Sequence, residues 1–121
     1  MRMSGPEVRV GSVLGDVRGR KPIIVDDIIA TGATIASAVE ALLAQGCESD
    51  ITVVATHALL VGAAAANLRH PAVKRIFVSD SVPQSADHEP AREVVTIVPL
   101  LVEGIRSVRE NRSLGQLIAG R

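Results

Sequence analysis

Three β-branched residues, Ile23-Ile24-Val25, run directly into two carboxylates, Asp26-Asp27, and then into Ile28-Ile29-Ala30-Thr31-Gly32-Ala33-Thr34-Ile35. No other stretch constrains the chain as tightly. A short apolar run of this kind predicts a strand buried on both faces, as in a parallel sheet. The acids close the strand, the Thr-Gly-Ala-Thr segment makes a turn, and a helix begins. In open α/β sheets, ligands bind outside the carboxyl ends of the strands. The stretch therefore specifies a fold class and points to the end of the sheet where a ligand would sit.

The residue types at that end differ in what they can hold. The first N–H groups of a helix lack intrahelical partners, and the helix dipole favours an anion there. A phosphate suits that position. Gly32 lets backbone approach closely, and Thr31 and Thr34 add hydroxyl donors. Asp26 and Asp27 repel a phosphate, so they need hydrogen-bond donors or a cation. Vicinal sugar hydroxyls or a hydrated magnesium ion meet that need. The turn thus suits the phosphate of a phosphorylated sugar, and the acids suit its ring. An ordinary strand-to-helix connection with a capping side chain is the simpler alternative.

Around this stretch the pattern alternates between strand and helix. Residues 1–6 read as irregular and residues 7–14 as a strand, antiparallel and at an edge, because only a tight turn around Gly15 and Gly19 separates it from the next. Ile35, Ala38, Val39, Leu42 and Leu43 recur at helical spacing, and Gly46 stops that helix. Strands are predicted over residues 51–55, 76–78 and 94–98, with an alanine-rich helix over 62–68 and a polar loop over 82–92. Pro99 suits the first turn of a helix whose buried face would be Leu101, Gly104, Ile105 and Val108. A short element over 113–118 follows. This alternation predicts an α/β fold, a three-layer α/β/α arrangement with a mainly parallel sheet, and one domain over residues 1–121.

Composition narrows the function. The chain has 121 residues with 13 basic and 13 acidic side chains, so nothing suggests a nucleic-acid surface. Phe77 is the one aromatic residue, which argues against base-stacking platforms. Cys47 is alone, so it forms no internal disulfide and no thiolate metal site. No apolar run spans a membrane and no signal peptide is recognised, so no membrane partner and a cytoplasmic location are expected. His57 ends a predicted strand, where ordering a neighbouring loop is a more economical role than general-base work. His70 sits at a helix end, where a cation suits the dipole. Asp87-His88-Glu89 reads as solvated loop charge, and Arg106, Arg109 and Arg112 as a solvated or subunit-facing stripe.

The string of two acids followed by Thr31-Gly32-Ala33-Thr34 resembles the phosphoribosyl-pyrophosphate (PRPP) motif of type I phosphoribosyltransferases and PRPP synthetases. Further segments resemble the synthetases: Gly15-Asp16-Val17-Arg18-Gly19-Arg20 before the motif strand, Thr56-His57-Ala58-Leu59 with Gly62, and Ser79-Asp80-Ser81-Val82-Pro83-Gln84. Residues 94–108 are similar to their last strand and helix, and 113–118 to their ending. The likeness covers most of residues 8–118. Four positions depart from the usual form. Ala30 stands where an acid or Ser is common, Ala33 and Ala58 replace Gly, and Val61 replaces Ser. The methyl of Ala33 is harmless at negative φ and costly at positive φ.

The resemblance implies a phosphoribosyltransferase-like (Rossmann-like) fold and the carboxyl-terminal domain of a ribose-phosphate pyrophosphokinase. Those enzymes transfer the pyrophosphoryl group of ATP to ribose 5-phosphate with magnesium. It implies that Asp26, Asp27, Ala30, Thr31, Gly32, Ala33 and Thr34 bind ribose 5-phosphate or PRPP, and that Asp26 and Asp27 meet Mg2+. It also implies a homo-oligomer, and ATP binding only together with an amino-terminal half, so catalysis by this chain alone is not expected. The alternatives are a phosphoribosyltransferase acting on a base, and a non-catalytic regulatory homologue. A response-regulator receiver has a similar length and acidic pair but gives the Thr-Gly-Ala-Thr turn no role.

Overall fold

A computed structural model describes residues 13–87 and 89–119. The elements follow in the order β1 (Ile23–Ile29), α1 (Ala33–Ala44), β2 (Ile51–Ala58), α2 (Ala64–Leu68), β3 (Val73–Ser79), β4 (Glu93–Val95), α3 (Val98–Arg109) and α4 (Leu114–Ala119). The four strands form one sheet in the order β1-β2-β3-β4, and every pair is parallel. This is the α/β class that the alternation of strand runs and helix-period segments predicts.

Strand order explains where the core lies. Parallel crossovers turn right-handed as a rule. When consecutive strands are also neighbours, both crossover helices fall on the same face. Ile35 and Val39 of α1 and Leu68 near α2's end are accordingly buried in one cluster with Ile51, Val53, Ala55, Ile76 and Val78 of the strands. Ile24, in register with Val53, packs against that cluster. Ile23 and Val25 alternate to the opposite face, where Val25 is 74% exposed. The expectation that this run is buried on both faces therefore fails among the described residues: α1 and α2 cover one face only.

Element ends also differ from the sequence pattern. β2 and β3 extend beyond residues 51–55 and 76–78, and α2 begins at Ala64 rather than at residue 62. The strand expected over 94–98 ends at Val95, and Val98 already belongs to α3. Side chains cause the early stop. Asp80 Oδ1 accepts the Ile97 N–H at 2.8 Å, and Thr96 Oγ1 accepts the Val98 N–H at 3.2 Å. Those donors are then unavailable to a strand ladder, and Pro99 fits the first helical turn. The expected strand over 7–14 falls mostly outside the described residues; Val13 and Leu14 are not in a strand. The segment 1–6 and His88 also lie outside them.

The expected buried face of α3 is open instead. Leu101, Ile105 and Val108 are exposed, Ile105 to 62%, and with Gly104 they line an apolar cleft of about 530 Å³ together with Leu114, Leu117 and Ile118 around α4. Ser107 is the buried residue of α3. α4 meets α3, but nothing else among the described residues covers that stripe. Among the described residues no helix is long and apolar enough to cross a membrane.

Candidate functional site

β1 and β2 change their pleat together at their carboxyl ends. In β2 the buried positions are Ile51, Val53 and Ala55, and the next is Ala58, a step of three instead of two. In β1, Ile29 is buried opposite Ala58, after two successive exposed residues, Asp27 and Ile28. Two exposed residues in a row occur in β2 as well, Thr56 and His57. A regular strand sends every second side chain inward. The shared irregularity lets both strands turn polar groups outward at one end while Ile29 and Ala58 still close the core. Local hydrogen bonds fix it: Asp26 Oδ1 accepts the Asp27 N–H, and Asp27 Oδ1 accepts the Ile28 N–H, both at 2.8 Å.

The turn after β1 is held on two sides. Gly32 adopts a left-handed conformation, φ 76° and ψ 5°, as the N-cap of α1. A Cβ there would meet Asn67 Cβ and Leu68 Cγ, each at 3.3 Å. Glycine is therefore needed for both conformation and space. Asn67 Nδ2 donates to the Thr31 carbonyl at 2.8 Å, and the Val61 N–H donates to the Ala30 carbonyl at 2.9 Å. α2 and the loop before it thus brace the turn. Ala33, the departure that sequence leaves open, is the first residue of α1, and its φ is not positive. The left-handed residue is Gly32, so the extra methyl causes no strain.

Gly32, the N-cap of α1, has no side chain to cap it. Thr31 Oγ1 accepts the Ala33 N–H at 3.3 Å, and both Thr31 and Thr34 are exposed. The start of α1, with only its first N–H so engaged, and two hydroxyls therefore face a cavity of about 210 Å³. It is lined by Asp26, Ala30, Thr31, Gly32, Ala33 and Thr34, with Ile28, Ile29 and Ile35. Six of the seven residues selected from sequence thus come together. Asp27 is exposed beside the cavity but not in its lining. Larger clefts lie elsewhere, among them those at the start of β3 and along α3. The Oδ2 atoms of Asp26 and Asp27 accept no hydrogen bond among the described residues, whereas Oδ1 of each is occupied by backbone. No cluster of three or more His, Cys, Asp or Glu poised for a metal occurs among the described residues.

The end of β3 and the segment after it brace the carboxyl end of β2. Ser79 Oγ and Ser81 Oγ both donate to the Thr56 carbonyl, at 2.6 and 2.9 Å, and Gln84 Nε2 donates to the Ala58 carbonyl at 3.0 Å. Sequence reasoning gave Ser81, Gln84 and Asn67 no role. For Ser81 and Gln84 the available signal is the segment of residues 79–84, whose likeness to the synthetases carries no function by itself. Asn67 carries no sequence signal beyond being a polar residue in an alanine-rich helix. Asp80, which follows β3, serves α3: its hydrogen bond from Ile97 N–H, with a further one from Thr96, holds its carboxyl below the usual range. Burial pushes the Cys47 thiol up, which suits an inert core residue.

Fold and site together define a class: a parallel α/β domain with a glycine turn and an uncapped helix at the carboxyl end of its first described strand. The chain belongs to the phosphoribosyl synthetase-associated domain family, whose model matches residues 6–119. It is 39% identical to a ribose-phosphate pyrophosphokinase of Streptomyces avermitilis over 112 residues, which is 92% of this chain and 34% of that protein. It is 40% identical to the ribose-phosphate pyrophosphokinase of Mycobacterium tuberculosis over 109 residues, 89% of this chain and 33% of that one. The crystal structure of phosphoribosylpyrophosphate synthetase from Mycobacterium smegmatis matches 87% of this chain and 35% of its own, with a TM-score of 0.75 and 38% identity. The chain thus spans about a third of the length of these relatives.

Proposed function

We propose that this chain is a phosphoribosyltransferase-like domain that binds ribose 5-phosphate or PRPP, equivalent to the carboxyl-terminal domain of a ribose-phosphate pyrophosphokinase. One observation carries the reading. The uncapped start of α1, with Gly32, Thr31 and Thr34, faces the same small cavity as the Asp26 carboxylate. An anion is favoured at one end of that cavity and a hydrogen-bond donor or cation at the other. A phosphorylated sugar carries both.

In this reading the phosphate accepts hydrogen bonds from the first N–H groups of α1 and from the threonine hydroxyls. Asp26 and Asp27 orient the sugar hydroxyls. Magnesium keeps several waters and needs only one or two protein carboxylates besides substrate oxygens. The two free Oδ2 atoms fit that mode, so Asp26 and Asp27 would hold it directly or through water. When bound, the ion would neutralise phosphate charge. In this reading pyrophosphoryl transfer from ATP takes a nucleotide site outside the cavity at α1. The family's likeness to longer synthetases makes a further domain its natural source. The open cleft along α3 also supports association, as a homo-oligomer.

Titration calorimetry with ribose 5-phosphate and with inorganic phosphate tests the binding claim. Ribose 5-phosphate should bind more tightly, since only it reaches both ends of the cavity. Equal affinities, or none, would remove the sugar from the reading. A coupled assay should find no AMP from ATP and ribose 5-phosphate with this chain alone. Robust AMP formation would show that the nucleotide site lies within these 121 residues. Light scattering should find a dimer or larger, and a strict monomer at high concentration would count against association.

A further inference from the structure

We infer that His57 is a sugar-facing residue of this site, locked by Ser81 in the tautomer that leaves Nε2 free to accept a hydrogen bond. The inference rests on the sugar-phosphate reading above and adds a residue to it. Ordering a loop and contacting a ligand are separate roles, and the two nitrogens of one imidazole divide them.

The hydrogen-bond chain determines where the ring proton sits. Ser81 Oγ lies 2.7 Å from His57 Nδ1 and 2.9 Å from the Thr56 carbonyl oxygen. A hydroxyl has a single proton. If that proton went to His57, two oxygen acceptors would face each other at 2.9 Å with no hydrogen between them. The Ser81 proton therefore goes to the Thr56 carbonyl, and Ser81 Oγ accepts from His57 Nδ1–H. Ser79 Oγ, which donates to the same carbonyl and accepts the Ser81 N–H at 3.0 Å, fixes the seryl segment in turn. Neutral His57 then carries its proton on Nδ1 and a lone pair on Nε2.

Strand order gives the direction of that lone pair. The two nitrogens of an imidazole point nearly away from each other. Ser81 lies just past the end of β3, and β1 flanks β2 on the other side. Pinning Nδ1 toward Ser81 turns Nε2 toward the β1 side. There His57 is in register with Ile28, next to the acidic pair. The step of three in β2 exposes His57 instead of burying it. Nε2 has no partner among the described residues. An acceptor paired in register with the strand end that carries Asp26 and Asp27 suits a ligand rich in hydroxyl donors, which is the chemistry of a sugar ring.

His70, at the opposite end of the sheet, shows the contrasting arrangement. Its Nδ1 accepts the Ala72 N–H at 3.0 Å, so its proton sits on Nε2, which meets Glu40 at 3.1 Å. Both of its nitrogens are occupied, which makes it an internal reference.

Long-range proton–nitrogen correlation spectra of the labelled chain read each tautomer directly. His57 should appear protonated at Nδ1 and His70 at Nε2. Ribose 5-phosphate should shift the His57 Nε2 signal, and inorganic phosphate should not. His57→Asn keeps a donor near the Nδ1 position and lacks Nε2. It should lower ribose 5-phosphate affinity roughly two- to tenfold, the worth of one net hydrogen bond, with phosphate affinity unchanged. Ser81→Ala should move the His57 proton to Nε2 and weaken the sugar phosphate alone. A His57 already protonated at Nε2 in the parent, or His57→Asn binding ribose 5-phosphate as the parent does, overturns the inference. Asp26→Asn and Thr34→Ala separate the two failures. If they lose ribose 5-phosphate and His57→Asn does not, only the role of His57 falls. If none of the three affects binding, the sugar-phosphate reading falls with it.

Discussion

α1 and α3 have the same length, 12 residues each, and both carry apolar residues at helical spacing, yet one closes the core and the other lies open. Ile35 and Val39 of α1 are buried at 2% and 0%, whereas Leu101 and Ile105 of α3 are exposed at 54% and 62%. The difference is in what surrounds them. α1 is a crossover between adjacent parallel strands, so its apolar face must land on the sheet. α3 follows the edge strand, and among the described elements its main neighbour is α4. Periodicity says that a helix has an apolar face. It does not say what covers that face.

Truncation is the most direct way to break this contrast. Ile35→Ala should cost about 2–5 kcal/mol of stability, the usual range for a large aliphatic side chain removed from a core. Ile105→Ala should stay within about 0.5 kcal/mol at a concentration where the chain is monomeric. Urea unfolding of both variants checks the pair, and equal costs would mean that α3 is covered in solution. Repeating the Ile105→Ala measurement at rising protein concentration sharpens the point. A cost that grows with concentration would identify α3 as the surface of self-association.

The start of α1 is the second place to press, because there the buried helix also has a ligand role. Thr34→Ala should weaken ribose 5-phosphate binding by about 1–3 kcal/mol if its hydroxyl meets a charged phosphate. Calorimetry reads this, and stability should hardly change because Thr34 is exposed. Asp26→Asn should weaken ribose 5-phosphate more than inorganic phosphate. An equal loss for both ligands would assign the carboxylate to shaping the turn. Gly32→Ala should destabilise the fold by about 1–2 kcal/mol, since an alanine must take a left-handed φ in the turn that starts α1.

The smallest effect belongs to the start of α3. Asp80 has its pKa lowered by the hydrogen bond from Ile97 N–H. A depressed folded pKa contributes stability that is fully present above the ordinary carboxylate range and is lost as pH falls through the folded value. Acid unfolding curves of the parent and Asp80→Asn should therefore converge as pH drops below that range. Curves that stay parallel at every pH would remove Asp80 as the tie between β3 and α3.

Much of this architecture was legible in the sequence because its signals are local. A β-branched run, two acids and a glycine turn sit within 13 consecutive residues, 23–35, and each acts on its neighbours. The places that misled depend on distant partners. Val25 reads as buried from its own neighbourhood, but strand order leaves it outside. The end of β4 is set by Asp80, 15 positions before Val95. Asn67 and Ser81 brace the site from α2 and from beyond β3, and no spacing rule connects them to the turn.

The sheet order has a further consequence, in time. Each strand pairs with the one made just before it. Among the described strands none must be inserted between two others already in place. For parallel strands, whose pairing waits on closure of a long crossover, this is the arrangement with the shortest closures. Chain emerging in the order of synthesis can add β2 to β1, then β3, then β4, each addition extending a finished edge. The candidate site needs only the first two strands, α1, α2 and the seryl segment after β3. The ligand cavity is thus complete before α3 and α4 have been made.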